Sequence, residues 1–143
     1  MRSFALSAIA MSLLAGVAFA ADPMTKTTVQ MTEAQEVPPH NGSATGTAVF
    51  TIDPSAKTVS WTVNWQKLSS DAVAAHIHGP AAPGVNAGVV VNLAPNGMKN
   101  PLEGSATMTD AQLADLMAGK DYINVHTTTN KGGEIRGQIV PSM

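Results

Sequence analysis

The chain has 143 residues, of which only 13% are charged, and its formal net charge is −2. A slightly acidic chain is unsuited to nucleic acid and to anionic membrane surfaces, because both are bound through basic patches. The sequence has no cysteine, so disulfides, thiolate metal ligands and a cysteine nucleophile are excluded. Any chemistry must therefore come from histidine, carboxylates, arginine, hydroxyls or methionine.

The N-terminus has the pattern of a cleavable secretory signal peptide. Arg2 supplies a basic n-region, residues 4–19 form an apolar run, and residues 18–20 read Ala-Phe-Ala, a signal cleavage site. The run is short for a transmembrane helix, which needs about 20 apolar residues, and no basic stop-transfer cluster follows. We therefore predict a signal peptide over residues 1–20, a mature domain over residues 21–143 without membrane attachment, and a periplasmic or secreted location.

The mature segment has short runs with a hydrophobic period of two, separated by turn residues. In the clearest run, Val59, Trp61 and Val63 share one face of a strand while polar residues occupy the other. The segment 33–42 contains two adjacent prolines and is expected to be an extended, non-helical loop. Strands are predicted at 26–31, 44–52, 58–65, 72–78, 88–93, 122–127 and 134–140.

One short helix is predicted near the end of the chain. Thr109 is a favourable N-cap, Gln112 completes a capping box, and Gly119 provides a C-terminal stop. Strands of this number and spacing, with one helix, indicate an all-β fold. We expect a Greek-key β-sandwich or a partly closed barrel of seven to eight antiparallel strands.

Two of the four histidines lie two residues apart in a predicted strand. This spacing places His76 and His78 on one face, which we expect to be the outer face, with Val73, Ala75 and Ile77 directed to the core.

The same parity applies to the last two predicted strands. Ile123 and Val125 are core-facing, so Asn124, His126 and Arg136 point to the opposite face. The two strands are predicted to form a hairpin. If this hairpin lies beside strand 72–78, His126 joins the histidine pair.

Neutral imidazoles bind copper, zinc, iron or nickel, and copper is favoured at an exported, thiol-free site. We predict His76, His78 and His126 as metal ligands, with a copper ion as the cofactor. The alternative is a set of hydrogen-bonded surface histidines.

Three other residues have two interpretations each. His40 lies in the proline-rich loop, either as a solvated residue or as a fourth ligand. Arg136 either pairs with a carboxylate or a loop carbonyl, or draws a small anion towards a metal. Glu36 is expected to accept hydrogen bonds from backbone N–H groups rather than to act in catalysis. For His40, Arg136 and Glu36 we favour the structural interpretation.

Five sequence blocks resemble the CHRD domain, which is named for chordin and is widespread in exported bacterial proteins. The resemblance extends from about Thr28 to Val140 and implies an extracellular domain; in chordin it lies within a binding protein. His40 departs from the resemblance, because an apolar or small residue is expected there. The blocks are Ala34-Gln35-Glu36-Val37-Pro38-Pro39, Ala44-Thr45-Gly46-Thr47-Ala48, Ala75-His76-Ile77-His78-Gly79, Tyr122-Ile123-Asn124-Val125-His126-Thr127 and Gly133-Glu134-Ile135-Arg136-Gly137-Gln138-Ile139.

A more distant likeness is to copper-zinc superoxide dismutase. That family is similar in its His-x-His strand within a Greek-key barrel and in a late arginine near copper, which His76, His78, His126 and Arg136 match loosely. The sequence lacks the family's disulfide, and neither a bridging histidine nor a zinc loop is evident.

Three hypotheses follow: a metal-binding domain, a metal-free extracellular binding or structural module whose protein partner is unknown, and a copper-dependent dismutase-like enzyme.

Overall fold

The computed structural model describes residues 23–142, so the predicted signal peptide lies outside the described residues. The described part contains eight β-strands, one α-helix and one single-turn 3-10 helix. The strands are β1 (Thr25–Thr32), β2 (Thr45–Asp53), β3 (Thr58–Gln66), β4 (Ala72–His78), β5 (Val89–Asn92), β6 (Leu102–Thr107), β7 (Asp121–Thr127) and β8 (Ile135–Ile139), with the 3-10 helix at Glu33–Gln35 and α1 at Asp110–Met117.

All eight strands belong to one antiparallel sheet with the order β5-β4-β7-β8-β1-β2-β3-β6. The chain crosses from β3 at one side of the sheet to β4 at the other, and then returns from β5 to β6 beside β3. The two edges face a common cleft lined by Trp61, Leu93 and Leu102, so the sheet curls into a nearly closed barrel. The expected all-β architecture is confirmed.

The core follows from the alternation that the sequence shows. On β2, Ala48, Phe50 and Ile52 are fully buried, and on β3 Val59 and Val63 are fully buried. Neighbouring strands pair in register, with Phe50 opposite Trp61, so that apolar side chains from successive strands meet on one face. The core is therefore the interior of the curled sheet.

Two local expectations were wrong, and one strand was missed. The loop 33–42 begins with the 3-10 turn, because the Glu36 and His40 N–H groups both donate to the carbonyl of Glu33. Val73 is 53% exposed rather than core-facing, because a β-bulge between Ala72 and Ala74 shifts the register there. Strand β6 was not predicted, because its sequence Leu-Glu-Gly-Ser-Ala-Thr carries one large apolar residue.

The helix and its cap agree with the sequence prediction. The Thr109 side chain accepts from the N–H of Gln112, whose side chain accepts from the N–H of Thr109. Gly119 follows the helix with a φ of 72°, a left-handed conformation that favours glycine. Within residues 23–142, no helix has both the length and the apolar character needed to cross a bilayer.

Strand β7 is unusual because all seven of its residues are buried, on both faces of the sheet. Its inner face contributes Ile123 and Val125 to the core. Its outer face carries polar side chains and lies beneath two loops, which follow β1 and β4. The polar residues of this outer face therefore need hydrogen-bond partners within the protein.

We predict that Phe50→Ala lowers the free energy of unfolding by about 3–5 kcal/mol, because the change leaves a cavity in a closely packed core. Urea denaturation measures this loss. The matched control is Val73→Ala, which removes an exposed side chain and should change the free energy by no more than about 0.5 kcal/mol. Similar losses for the two variants would contradict the described core.

Candidate functional site

Three of the four histidines come together on the outer face of β4 and β7. His76 and His78 project from β4, while His126 on β7 lies opposite Ala74 and thus diagonal to His76. One ring nitrogen from each of the three histidines lies within 4.8 Å of the others, and the ring centroids are 4.9–5.7 Å apart. The small side chain of Ala74 leaves room for this approach. The sequence analysis predicted that His126 joins the histidine pair if its strand lies beside strand 72–78. In the structure β7 pairs with β4, and the three histidines do come together.

Backbone carbonyls fix the tautomers of two of these rings. Nδ1 of His78 lies 3.0 Å from the carbonyl oxygen of Ala87, and Nδ1 of His126 lies 3.0 Å from that of Lys131. A carbonyl oxygen only accepts, so each Nδ1 must carry the proton. Nε2 of each ring is therefore unprotonated and carries a lone pair, which is the arrangement seen where histidines bind metals.

The two lone pairs have different surroundings. Nε2 of His126 lies 3.1 Å from Nδ1 of His76, which donates to it. Nε2 of His78 is buried and has no hydrogen-bond partner among the described residues. A buried acceptor without a partner costs stability, so native proteins rarely leave one without a reason. Of the two lone pairs, that of His78 is therefore the one without a partner in the described part of the chain.

All three imidazoles are held neutral. Burial lowers the pKa of His76 to about 4, with the neighbouring His126 and His78 adding to the effect. Burial also lowers the pKa of His78 and that of His126. Neutral rings are the form that coordinates metal ions, so protons do not compete for these nitrogens near pH 7.

The turn that orients His126 is itself anchored by a buried carboxylate. Glu134 is fully buried and accepts hydrogen bonds from Thr127, Ser69 and Asn130. Burial works to raise the pKa of Glu134, but these hydrogen bonds outweigh it and lower the pKa. Because Glu134 holds both ends of the 128–133 turn, the Lys131 carbonyl is fixed beside His126.

Tyr122 joins the histidines to Arg136. The ring of His78 stacks on Tyr122 with centroids 5.0 Å apart and planes 6° apart, and Cζ of Arg136 lies 3.5 Å from the centroid of the same ring. The Tyr122 hydroxyl accepts from the N–H of Ala87, whose carbonyl binds His78. Tyr122 thus holds the His78 ring and the loop beside it.

Arg136 binds oxygen atoms of a loop, as the structural interpretation of this residue predicted. Its guanidinium donates to the carbonyl oxygen of Val85 at 2.8 Å and to Oδ1 of Asn86 at 3.1 Å. The arginine is 2% exposed and bound to the loop, so it is not a surface charge that steers anions to the histidine cluster. The histidine pair and Arg136 lie on the same outer face, and Tyr122 contacts both His78 and Arg136.

Two other predicted residues lie outside the histidine cluster. His40 is half-buried, and its Nε2 lies 3.2 Å from the Gly133 carbonyl oxygen. It is not one of the three histidines whose ring nitrogens lie close together. Glu36 is buried and accepts a hydrogen bond from the Asn124 side chain. Burial raises the pKa of Glu36 to about 7, although Arg136, the Val37 N–H and Asn124 lower it in part.

Sequence reasoning missed Tyr122 and Asn124 as parts of this surface. Parity placed Asn124 on the outer face, but a polar residue on an outer face is usually solvated. The only available signal was the pair of proline-rich loops, which are long enough to cover the sheet. That they do cover it depends on tertiary contacts such as those of Arg136.

We predict that the His76 ring remains neutral down to about pH 5. The folded-state pKa of about 4 lies below the usual 6.5, so between these values the unfolded chain binds the proton more readily than the folded protein does. The free energy of unfolding is therefore highest above pH 6.5 and decreases as the pH falls towards 4. NMR titration of the imidazole measures the pKa directly.

The matched comparison for His76 is His76→Gln, which cannot take up the proton. Between pH 7.5 and pH 4.5, the stability of the native protein should fall by about 1 kcal/mol relative to this variant, less than the full shift implies because water reaches part of the ring. A titration midpoint of 6 or higher in the metal-free protein would contradict the described burial.

One protein family matches the chain. The family model described as CHRD domain matches residues 27–139, a range that extends from β1 to the end of β8 and contains all three clustered histidines. Neither the curated proteins nor the solved structures that were compared gave a match. CHRD domains are extracellular modules. Because the match covers nearly the whole described fold, the chain belongs to the CHRD domain family.

Proposed function

We propose that the protein is an exported metal-binding domain that takes up a transition-metal ion through His76, His78 and His126. The observation that carries this proposal is the buried Nε2 of His78, which has no partner among the described residues, on a ring that has one nitrogen within 4.8 Å of a nitrogen of each of the other two histidines. A metal ion supplies the missing partner to His78 and also receives the lone pair of His126. The carbonyls of Ala87 and Lys131 act as the outer hydrogen-bond acceptors that metal-bound histidines commonly have.

The ligand set allows an ion to fit after a small adjustment. Two ligands that each lie about 2.1 Å from one ion are at most about 4.2 Å apart. The three nitrogens, which lie within 4.8 Å of one another, must therefore move closer together, which rotation of the half-buried His76 ring allows. His76 binds through Nδ1 once its proton has moved to Nε2, so this ring exchanges tautomers without losing a net proton.

Copper is the favoured ion. Three imidazoles without thiolate or carboxylate suit copper or zinc, and the affinity of such sites for divalent ions is highest for copper. Export, which the N-terminal pattern predicts, places the site outside the reducing cytosol. Three protein ligands leave coordination positions open for water or an added ligand.

The two alternatives have less support. A metal-free module accounts for the hydrogen bond between His76 and His126, but it leaves the buried Nε2 of His78 without a partner. A dismutase-like enzyme requires a cation that steers superoxide to the metal, and Arg136 is buried and hydrogen-bonded to the loop at Val85 and Asn86. A rate no faster than that of free copper chelates would exclude the enzyme.

We predict that the metal-free protein binds one Cu²⁺ per chain and that His76→Ala weakens this binding at least about 100-fold, more than the loss of an outer hydrogen bond usually costs. Titration against a competing copper chelator measures the affinity, and electron paramagnetic resonance reports the nitrogen ligands. The matched control is His40→Ala, which removes a half-buried histidine outside the cluster and should leave the affinity unchanged. Equal copper affinity in His76→Ala and the native protein would exclude the site.

We also predict that copper binding at pH 7 releases less than about half a proton, because all three rings are already neutral. Calorimetry in buffers with different ionisation enthalpies counts the protons. Free imidazole, with a pKa near 6.5, provides the reference for ligands that are partly protonated at this pH. Release of a whole proton or more at pH 7 and also at pH 6, where metal-bound water ionises less, would show that the rings are not held neutral.

A further inference from the structure

A second pocket lies on the same outer face, between the two proline-rich loops. It has a volume of about 330 Å³, in the lower part of the range typical of small-molecule sites. Most of its wall is apolar and rigid, with Ala34, Val37 and Pro39 from the loop after β1 and Pro83 from the loop after β4. None of the three clustered histidines lines this pocket.

A buried guanidinium and a buried carboxyl group also line the pocket. Arg136 is 2% exposed and Glu36 is 4% exposed. Ion pairs with a nitrogen–oxygen distance of 4.0 Å or less are formed among the described residues only by Lys57 with Asp110 and by Lys120 with Asp115. The Glu36 carboxylate and the Arg136 guanidinium therefore face the same pocket without direct contact.

Neighbouring groups hold these two charges apart. The Asn124 side chain binds the Glu36 carboxylate, and the carbonyl of Val85 and the side chain of Asn86 bind the Arg136 guanidinium. Burying a guanidinium and a carboxylate without pairing them is unfavourable, and burial accordingly raises the pKa of Glu36, so a cation placed on this carboxyl group stabilises its ionised form. A guanidinium has five N–H donors, so Arg136 has capacity beyond the two hydrogen bonds that it makes to the loop.

A third polar group lines the pocket. Gln138 uses its side-chain nitrogen to donate to the carbonyl oxygens of Ala81 and Gly119, while its Oε1 is buried and has no partner among the described residues. The pocket thus combines a guanidinium, a carboxyl group and an amide side chain with apolar walls, which is the composition of sites that bind and orient small polar molecules.

We propose that this pocket binds a small zwitterion of the amino-acid type, with its carboxylate on Arg136, its ammonium group on Glu36, and a short apolar side chain against the proline-lined wall. Such a ligand pairs both buried charges at once. A simple anion or a simple cation pairs only one of them and leaves the other without its counter-charge. Arginine is the residue that most often binds a carboxylate through hydrogen bonds from its guanidinium.

This inference does not depend on the metal proposal, because the charged residues are not among the predicted metal ligands. The two sites share Tyr122, which contacts both His78 and Arg136, and the loop segment that binds Arg136 through Val85 and Asn86 and His78 through Ala87. Failure of copper binding and failure of zwitterion binding are nevertheless separate results.

The test is a titration of the chelator-treated protein with L-leucine, followed by calorimetry and by NMR of the backbone amides near Val37 and Gly84. We expect a dissociation constant of about 1 mM or lower. Two analogues isolate the charges: 4-methylpentanoate lacks the ammonium group, and 3-methylbutylamine lacks the carboxylate. Each should bind at least tenfold more weakly. No binding of leucine at 10 mM, or equal binding of either analogue, would overturn the proposal.

Two variants locate the ligand. Glu36→Gln should reduce leucine affinity to that of 4-methylpentanoate, and Asp71→Asn, an exposed residue outside the pocket, is the matched control that should bind normally. Ala34→Trp places a ring in the pocket from an exposed wall position, so the test still works if Glu36→Gln fails to fold. Unchanged leucine affinity in folded Ala34→Trp would also overturn the proposal.

Discussion

The burial of β7 on both faces is the constraint from which the rest of the site follows. A strand in an antiparallel sheet commonly exposes one face to water, and its polar residues are then solvated. In this protein two loops cover the outer face, so Asn124, His126 and Tyr122 exchange water for protein partners. Those partners are a carboxylate, a backbone carbonyl, a cation and two further imidazoles. The chemistry of the molecule is concentrated where these exchanges take place.

The loop after β4 is held in place by hydrogen bonds to the side chains that it covers. Val85, Asn86 and Ala87 provide acceptors or donors to Arg136 and Tyr122, and the Ala87 carbonyl also sets the tautomer of His78. The same loop segment therefore closes the outer face and orients a predicted ligand. A substitution in this loop is expected to affect the histidine cluster without contacting it, through the position of one carbonyl oxygen.

Burial acts in opposite directions on the two kinds of titrating group found here. It lowers the pKa of His76, His78 and His126 and so keeps them neutral, and it raises the pKa of Glu36. Both shifts reduce the charge that the protein must hold away from water. Arg136 cannot be neutralised in this way, and it is instead stabilised by loop carbonyl and amide oxygens and by the face of Tyr122.

The sequence by itself determined the strands with strong alternation, the capped helix, the hairpin and the parity that separates His76 and His78 from the core, because these features depend on residues close together in the chain. It also identified the family. It could not determine strand order, which decides whether His126 meets His76, nor the coverage of the outer face, which turns solvated polar residues into buried ones. It missed β6, whose side chains are mostly small or polar, and misplaced Val73, whose direction is set by a bulge. Those outcomes depend on contacts between residues such as Arg136 and Val85, 51 positions apart, and only the tertiary structure brings such residues together.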